Sequence, residues 1–327
     1  FTNELVGYGC EYRPYDQEWT YTLLSKEGKI QKQFNIPLRH TSYNHDMSAT
    51  KNFTIVYDGN LVLNWRNIMG GGGSRSSGEQ QQPTKQKQMW EFQRNIPGRI
   101  GIFPRHAKSS KEVRWFEVAP FCVSHTATAW EEREREHPND LPIIVIVTNN
   151  IGFENFAPTF STETPSDPDA NLHEYRMNLN TGTVTETTLL RIRSDFPNTN
   201  SKWLGKDEDG ASGRKRYVYA GMLNYQEPNH APFIEGIYKY DLLHRSWRKE
   251  MFESFVCGGE PFFVPKLGGG KEEDDGYVVV LVNNFQQRQT ELRVYDAVTF
   301  GDGASLVATI ICPRRVVPLG THGIWIG

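Results

Sequence analysis

Nine histidines supply the side chains best suited to metal or proton chemistry in this chain. His40, His106, His137, His173, His230 and His244 lie among polar or turn-forming neighbours, where a surface role is the default. Three others sit differently. His45 opens the run His45-Asp46-Met47-Ser48-Ala49-Thr50-Lys51-Asn52, just ahead of a strand-like segment. His125 interrupts Phe121-Cys122-Val123-Ser124-His125-Thr126-Ala127-Thr128-Ala129-Trp130, a small and apolar run that closes on Glu131-Glu132. His322 falls in Pro318-Leu319-Gly320-Thr321-His322-Gly323-Ile324-Trp325, whose small neighbours leave room beside the ring. A single histidine on a buried strand is most often a core residue satisfied by its neighbours. Three at strand ends can converge instead, and imidazole without thiolate suits Fe, Cu, Ni or Zn. Separations this long form no ligand-spacing motif, so a metal site and three core histidines are both open readings of the residues.

Whatever positions these rings must be built from strands. Leu5 to Arg13, Thr20 to Ile36, Phe53 to Trp65 and Val113 to Trp130 are rich in Tyr, Val, Ile, Phe and Thr and are bounded by turn residues. Pro142 to Asn149, His173 to Leu190, Arg216 to Leu223, Gly236 to Phe252, Gly276 to Asn284 and Thr290 to Ile311 continue the pattern. No segment has convincing helical periodicity; Glu131 to His137 could hold a helical turn or a solvated loop. One motif recurs. Tyr21 to Ile30, Tyr175 to Val184 and Ile237 to Trp247 each alternate into a short polar turn and alternate out again, as Leu292 to Asp296 does before a Gly-Asp-Gly turn. Repeated antiparallel hairpins of this kind predict an all-β fold, a β-propeller in preference to a β-sandwich.

Composition narrows the function. A net charge of -3 gives no electrostatic reason to expect nucleic acid as a partner. Cys10, Cys122, Cys257 and Cys312 are scattered, with no CxxC pair for zinc or a redox motif. The apolar run Leu141 to Val147 is far too short to cross a bilayer. No GxGxxG or phosphate-loop fingerprint is present. Residues 70–88, rich in Gly, Ser, Gln and Lys, are expected to form a low-complexity surface insertion. Gly268 to Gly276, with its acidic run Glu272 to Asp275, is expected to be a second solvated turn and lacks the ligand alternation of an EF-hand. The chain opens on Phe1 in what reads as mid-motif, and a fragment is expected.

Several ordered motifs together resemble the carotenoid cleavage oxygenase family, which includes carotenoid, apocarotenoid, stilbene and lignostilbene dioxygenases. Asn3-Glu4-Leu5-Val6-Gly7-Tyr8-Gly9 looks like the strand that follows the family's first iron histidine. His45 to Asn52 resembles its His-Asp-Phe-Ala-Ile-Thr-x-Asn motif. Arg99 to Arg105, then Arg114-Trp115-Phe116-Glu117, resembles the segment leading to the third histidine. Glu260-Pro261-Phe262-Phe263-Val264-Pro265, the acidic run after it, and Pro318 to Gly323 complete the series.

The resemblance implies a seven-bladed β-propeller of the carotenoid oxygenase type, residues 1–327 forming one N-terminally incomplete domain. It implies Fe(II) held by four histidines, of which His45, His125 and His322 match the second, third and fourth, with the first upstream of Phe1. No catalytic residue beyond the iron ligands is implied. Carboxylates behind the ligands accept the second ring N–H and fix the tautomer. Glu260 matches one such position, and Asp195, in Ser194-Asp195-Phe196-Pro197, stands where the family usually has Glu. Ser124 and Thr128 replace a usual Phe and Asn beside His125, which puts pocket shape in question. The implied reaction is cleavage of a conjugated carbon–carbon double bond by O2 into carbonyl products, with an apolar polyene or stilbene as substrate. A cytoplasmic or peripheral-membrane location is expected, any membrane contact belonging to the full-length parent. Two rivals stand beside this reading: a truncated, inactive propeller lacking its first ligand, and a calcium-dependent propeller hydrolase with acidic axial ligands.

Overall fold

The structure, a computed structural model, describes residues 4–14, 17–69, 89–133, 140–150, 171–203, 211–212, 215–224, 233–268, 272–313, 322–323 and 325. The expected insertion at 70–88 lies outside these residues, as do Pro318 to Thr321 of the closing motif and most of the Glu131 to His137 turn. Antiparallel strands make up nearly all of the described secondary structure, which bears out the all-β expectation. The described residues fall into two compact units, one of residues 4–123 and one of residues 124–150 and 171–325.

In the first unit, Leu5–Cys10, Glu18–Leu24 and Ile30–Pro37 form a three-stranded sheet. The alternation in Glu18–Leu24 sends Trp19, Tyr21 and Leu23 inward against Ile36, Val56 and Phe103. Burying each of these large side chains contributes about 2–3 kcal/mol. A second sheet runs in the order Ser48–Ala49, Phe53–Asp58, Gly98–Pro104, Arg114–Val118, and His45 lies just before its edge strand. The segment Phe53 to Trp65 is broken rather than continuous. Asn60 donates to the carbonyls of Gln93 and Ile96 and accepts the Phe121 N–H, which pulls the chain out of the ladder. Leu61–Leu63 then pairs with Trp90–Phe92, and the Asn64 side chain accepts the Asn67 N–H at the start of a one-turn helix, Trp65–Met69. Val113 to Trp130 is likewise two strands, Arg114–Val118 and Val123–Glu132, parted at Pro120, which has no N–H for a ladder.

The second unit holds a five-stranded sheet ordered Val184–Leu190, Asn171–Asn178, Ile143–Asn150, Val123–Glu132, Ala211–Ser212. Ile143–Asn150 is central, and seven of its eight residues are buried, so both of its faces are covered. A nine-stranded sheet begins at one edge with Ser194–Asn198 and carries Tyr217–Asn224, Phe233–Asp241 and Gly276–Asn284 through its middle.

Three of the hairpins share a turn device. Asn178, Asp241 and Asn284 each end a strand and accept turn N–H groups on the side chain: those of Asn180 and Thr181, of Leu243 and His244, and of Gln287. Four residues after each, the chain passes through left-handed backbone at Gly182 (φ 79°), Arg245 (φ 52°) and Arg288 (φ 54°).

Two expectations are corrected. The acidic run is no solvated turn. Glu273 is 4% exposed because its carboxylate accepts the N–H groups of Arg216 and Tyr217, and Asp274 pairs with Lys239 Nζ at 2.6 Å. His173 is no surface histidine either. It lies on Asn171–Asn178 with its ring 14% exposed against Tyr175, and burial, with Arg191 nearby, pushes its imidazole down to about 4.

Candidate metal centre

Within the second unit the chain brings together two of the three singled-out histidines and both singled-out carboxylates. His125 stands on Val123–Glu132 with its ring 17% exposed. Its partner Asp195 is on Ser194–Asn198, whose placement follows from neighbouring strands. Asn149 donates from its side-chain amide to the carbonyl and hydroxyl oxygens of Ser194, at 2.9 and 2.8 Å. Asp195 itself pairs with Gly221 of Tyr217–Asn224. The His125 Nδ1 lies 2.8 Å from Asp195 Oδ1. A carboxylate can only accept, so Nδ1 is the protonated nitrogen and the ring's lone pair is on Nε2.

His322 repeats the scheme. Its Nδ1 is 3.2 Å from Glu260 Oε2, and the same oxygen accepts the Gly323 N–H at 2.9 Å. Glu260 lies between the strands Val256–Gly258 and Phe262–Pro265. Burial raises its carboxyl above the ordinary carboxylate range, with the Gly323 N–H and the His322 and His125 imidazoles working against that rise. The His125 and His322 rings are 5.3 Å apart between centroids and inclined at 73°. Phe196 packs against both, at 5.2 and 5.8 Å. Its backbone is left-handed at φ 58°, a conformation rare for an aromatic residue, and its N–H is turned onto Asp195 Oδ1 at 2.8 Å.

His45 belongs to the first unit. Its ring is exposed and stacks on Tyr43 at 5.4 Å and 6°, and its carbonyl accepts the Tyr8 hydroxyl. The rest of its motif is tied down by Arg105, whose guanidinium donates to the Thr50 carbonyl and whose N–H donates to that of Asn52. Among the described residues no three His, Cys, Asp or Glu side chains gather at metal-holding spacing. The donor set that does assemble suits a borderline cation. It is two neutral imidazoles, each directed by a carboxylate behind it, beside an aromatic ring and with no thiolate.

Three residues of this arrangement were not singled out as functional from the sequence: Phe196, Asn149 and Ser124. Phe196 had one local signal, the Pro197 after it, which bars the ordinary helical conformation. Ser124 was visible only as a departure from a resemblance.

The fold and these directed imidazoles define a class, an all-β protein built to present histidine nitrogens backed by carboxylates. The model of the retinal pigment epithelial membrane protein family matches residues 1–327, and the chain belongs to that family. It is 32% identical, over 98% of its length, to the zeaxanthin 7,8(7',8')-cleavage dioxygenase of Crocus sativus and covers 78% of that protein. It is 26% identical to the carotenoid 9,10(9',10')-cleavage dioxygenase 1 of Phaseolus vulgaris and spans 56% of it, so the chain covers little more than half of such a relative. Among solved structures it is similar to the Synechocystis apocarotenoid oxygenase (TM-score 0.74, 22% identity, 99% of this chain and 61% of that one). It is also similar to the Pseudomonas brassicacearum lignostilbene dioxygenase (TM-score 0.75, 19% identity, 99% of this chain and 64% of that one). The propeller-type fold class expected from the hairpin repeat is borne out by these neighbours, while the count of seven blades rests on the resemblance alone.

Proposed function

We propose that this chain is part of an Fe(II)-dependent dioxygenase that cleaves a conjugated carbon–carbon double bond of a carotenoid, apocarotenoid or stilbene. Atoms balance without a further cofactor: the alkene bond and the O–O bond break, and the two oxygen atoms enter two carbonyl products. The observation that carries the reading is the His125–His322 pair, 5.3 Å apart, with each Nδ1 on its own carboxylate. His45 joins the proposed ligand set through its sequence motif. Iron bound there would supply a site for O2 beside the alkene.

The residues of this chain have definite tasks in that reading. Asp195 and Glu260 hold the Nδ1 protons and so turn the Nε2 lone pairs toward a cation. They also offset the positive charge that neutral imidazole ligands leave uncompensated. Phe196, edge-on to His322 and tilted against His125, offers apolar surface to a polyene or stilbene and keeps water from one side of the pair. Iron analysis of the purified protein, with and without His125→Ala, tests the reading together with product analysis on carotenoid and stilbene substrates. Bound iron lost in the variant is the expected result. No iron in the parent, with cleavage indifferent to His125→Ala, would overturn it.

A further inference from the structure

Asp195 and Glu260 do the same work in nearly the same way. One carboxylate oxygen accepts a histidine Nδ1–H and one neighbouring backbone N–H, that of Phe196 in one case and of Gly323 in the other. Asp195 has something Glu260 lacks among the hydrogen bonds described. A third donor, the Ser124 hydroxyl, reaches the same Oδ1 at 2.8 Å from a residue only 3% exposed.

That hydroxyl has one proton and two acceptors in reach, Asp195 Oδ1 at 2.8 Å and the Asn149 carbonyl at 3.1 Å. The carboxylate is nearer and charged, and it takes the proton. Asn149 closes a frame around the carboxylate. Its carbonyl flanks Ser124 while its side-chain amide holds Ser194, the residue before Asp195. A frame is needed because the terminal torsion of an aspartate is soft, with broad wells in place of sharp rotamers. Two donors leave that rotation less defined than three converging on one oxygen.

We propose that Ser124 is a positioning residue for His125. Its hydroxyl fixes the rotation of the Asp195 carboxylate, so that Oδ1 stays on the Nδ1 proton and the imidazole keeps its lone pair at Nε2. The role concerns the proton's location on the ring; its bearing on metal binding rests on the reading of His125 as a ligand given above.

The test is ¹⁵N NMR of the metal-free chain with labelled histidine, above the imidazole titration range, where each ring nitrogen reports whether it carries a proton. In the parent, His125 is expected as a single Nδ1–H tautomer. In Ser124→Ala the ratio of Nδ1–H to Nε2–H falls roughly three- to tenfold, as loss of one supporting hydrogen bond would give. The His322 signals stay unchanged, and Ser124→Thr, which keeps the hydroxyl, restores the parent ratio. An unchanged His125 tautomer in a folded Ser124→Ala protein overturns the proposal, as does an equal shift at His322. Zn(II), a diamagnetic ion that takes imidazole ligands, then tests the ligand reading separately. Perturbed Nε2 signals at His125 and His322 support that reading. No perturbation overturns it, while the role of Ser124 still stands or falls on the tautomer ratio.

Discussion

At the scale of the residue, a carboxylate behind an imidazole works by choosing which nitrogen keeps its proton. Asp195 and Glu260 make the same choice in different surroundings. The His125 ring is 17% exposed and the His322 ring 60%. Removing Asp195 would take one shared acceptor from the His125 Nδ1–H and the Phe196 N–H in a largely buried place and leave the Ser124 hydroxyl to the Asn149 carbonyl, whereas water can take over at His322. We therefore expect Asp195→Ala to lower stability by about 1–3 kcal/mol and also to weaken metal binding by about 10- to 100-fold. Glu260→Ala should weaken metal binding with little loss of stability. Thermal melts of the metal-free variants, paired with metal titrations, separate the two effects; equal melting losses would contradict the argument.

At the scale of the element, the turn Glu272 to Asp275 shows how an acidic run becomes structural. Asp274 and Lys239 form a buried pair, and Lys239 Nζ also donates to the Ala297 carbonyl and lies 4.1 Å from the Tyr217 ring centroid. Burial lowers the Lys239 pKa while Asp274 opposes that shift, so the ammonium depends on its partner. Asp274→Ala should cost about 3–5 kcal/mol, because an uncompensated charge is left inside. The adjacent pair Lys266–Asp275, 3.3 Å apart and half exposed at the lysine, is the control. Asp275→Ala there should leave stability nearly unchanged, because water and salt screen an exposed pair. Denaturant unfolding of the two variants side by side reads the contrast. Backbone space gives a second expectation at this scale. A Cβ on Gly276 would sit 2.5 Å from the Val264 carbonyl oxygen and 2.5 Å from the Phe263 ring, so Gly276→Ala should destabilise by about 1–3 kcal/mol in the same measurement.

At the scale of the whole molecule, His173 ties stability to pH. Burial, and secondarily Arg191, hold its imidazole at about 4 in the folded chain against an ordinary 6.5. Between those values the unfolded chain binds the proton and the folded chain does not, so stability is full above about 6.5 and declines as pH falls toward 4. His173→Gln should remove about 1–2 kcal/mol of the difference in unfolding free energy between neutral and mildly acidic solution. Urea unfolding of parent and variant at both conditions checks this, and parallel pH dependences would contradict it.

Period-two alternation and turn chemistry made the strands and hairpins legible in the sequence, since Trp19, Tyr21 and Leu23 face one way whatever surrounds them. The left-handed turn position was legible only at Gly182; at Arg245 and Arg288 the same conformation is imposed by the turn and leaves no mark on residue type. The motifs around His125, His322 and Glu260 could be picked out one by one, because a residue's type belongs to the chain alone. Which atoms meet was decided by tertiary structure. The Ser124 hydroxyl, the Phe196 N–H and the His125 ring converge on one oxygen of Asp195 because strands distant in sequence are held at hydrogen-bonding distance. The same holds for His173, whose polar neighbours in sequence promised solvent and whose neighbours in space exclude it. Local pattern fixes which face of a strand a side chain takes; what it finds there depends on packing between distant segments, and that is where proton placement on the histidines was settled.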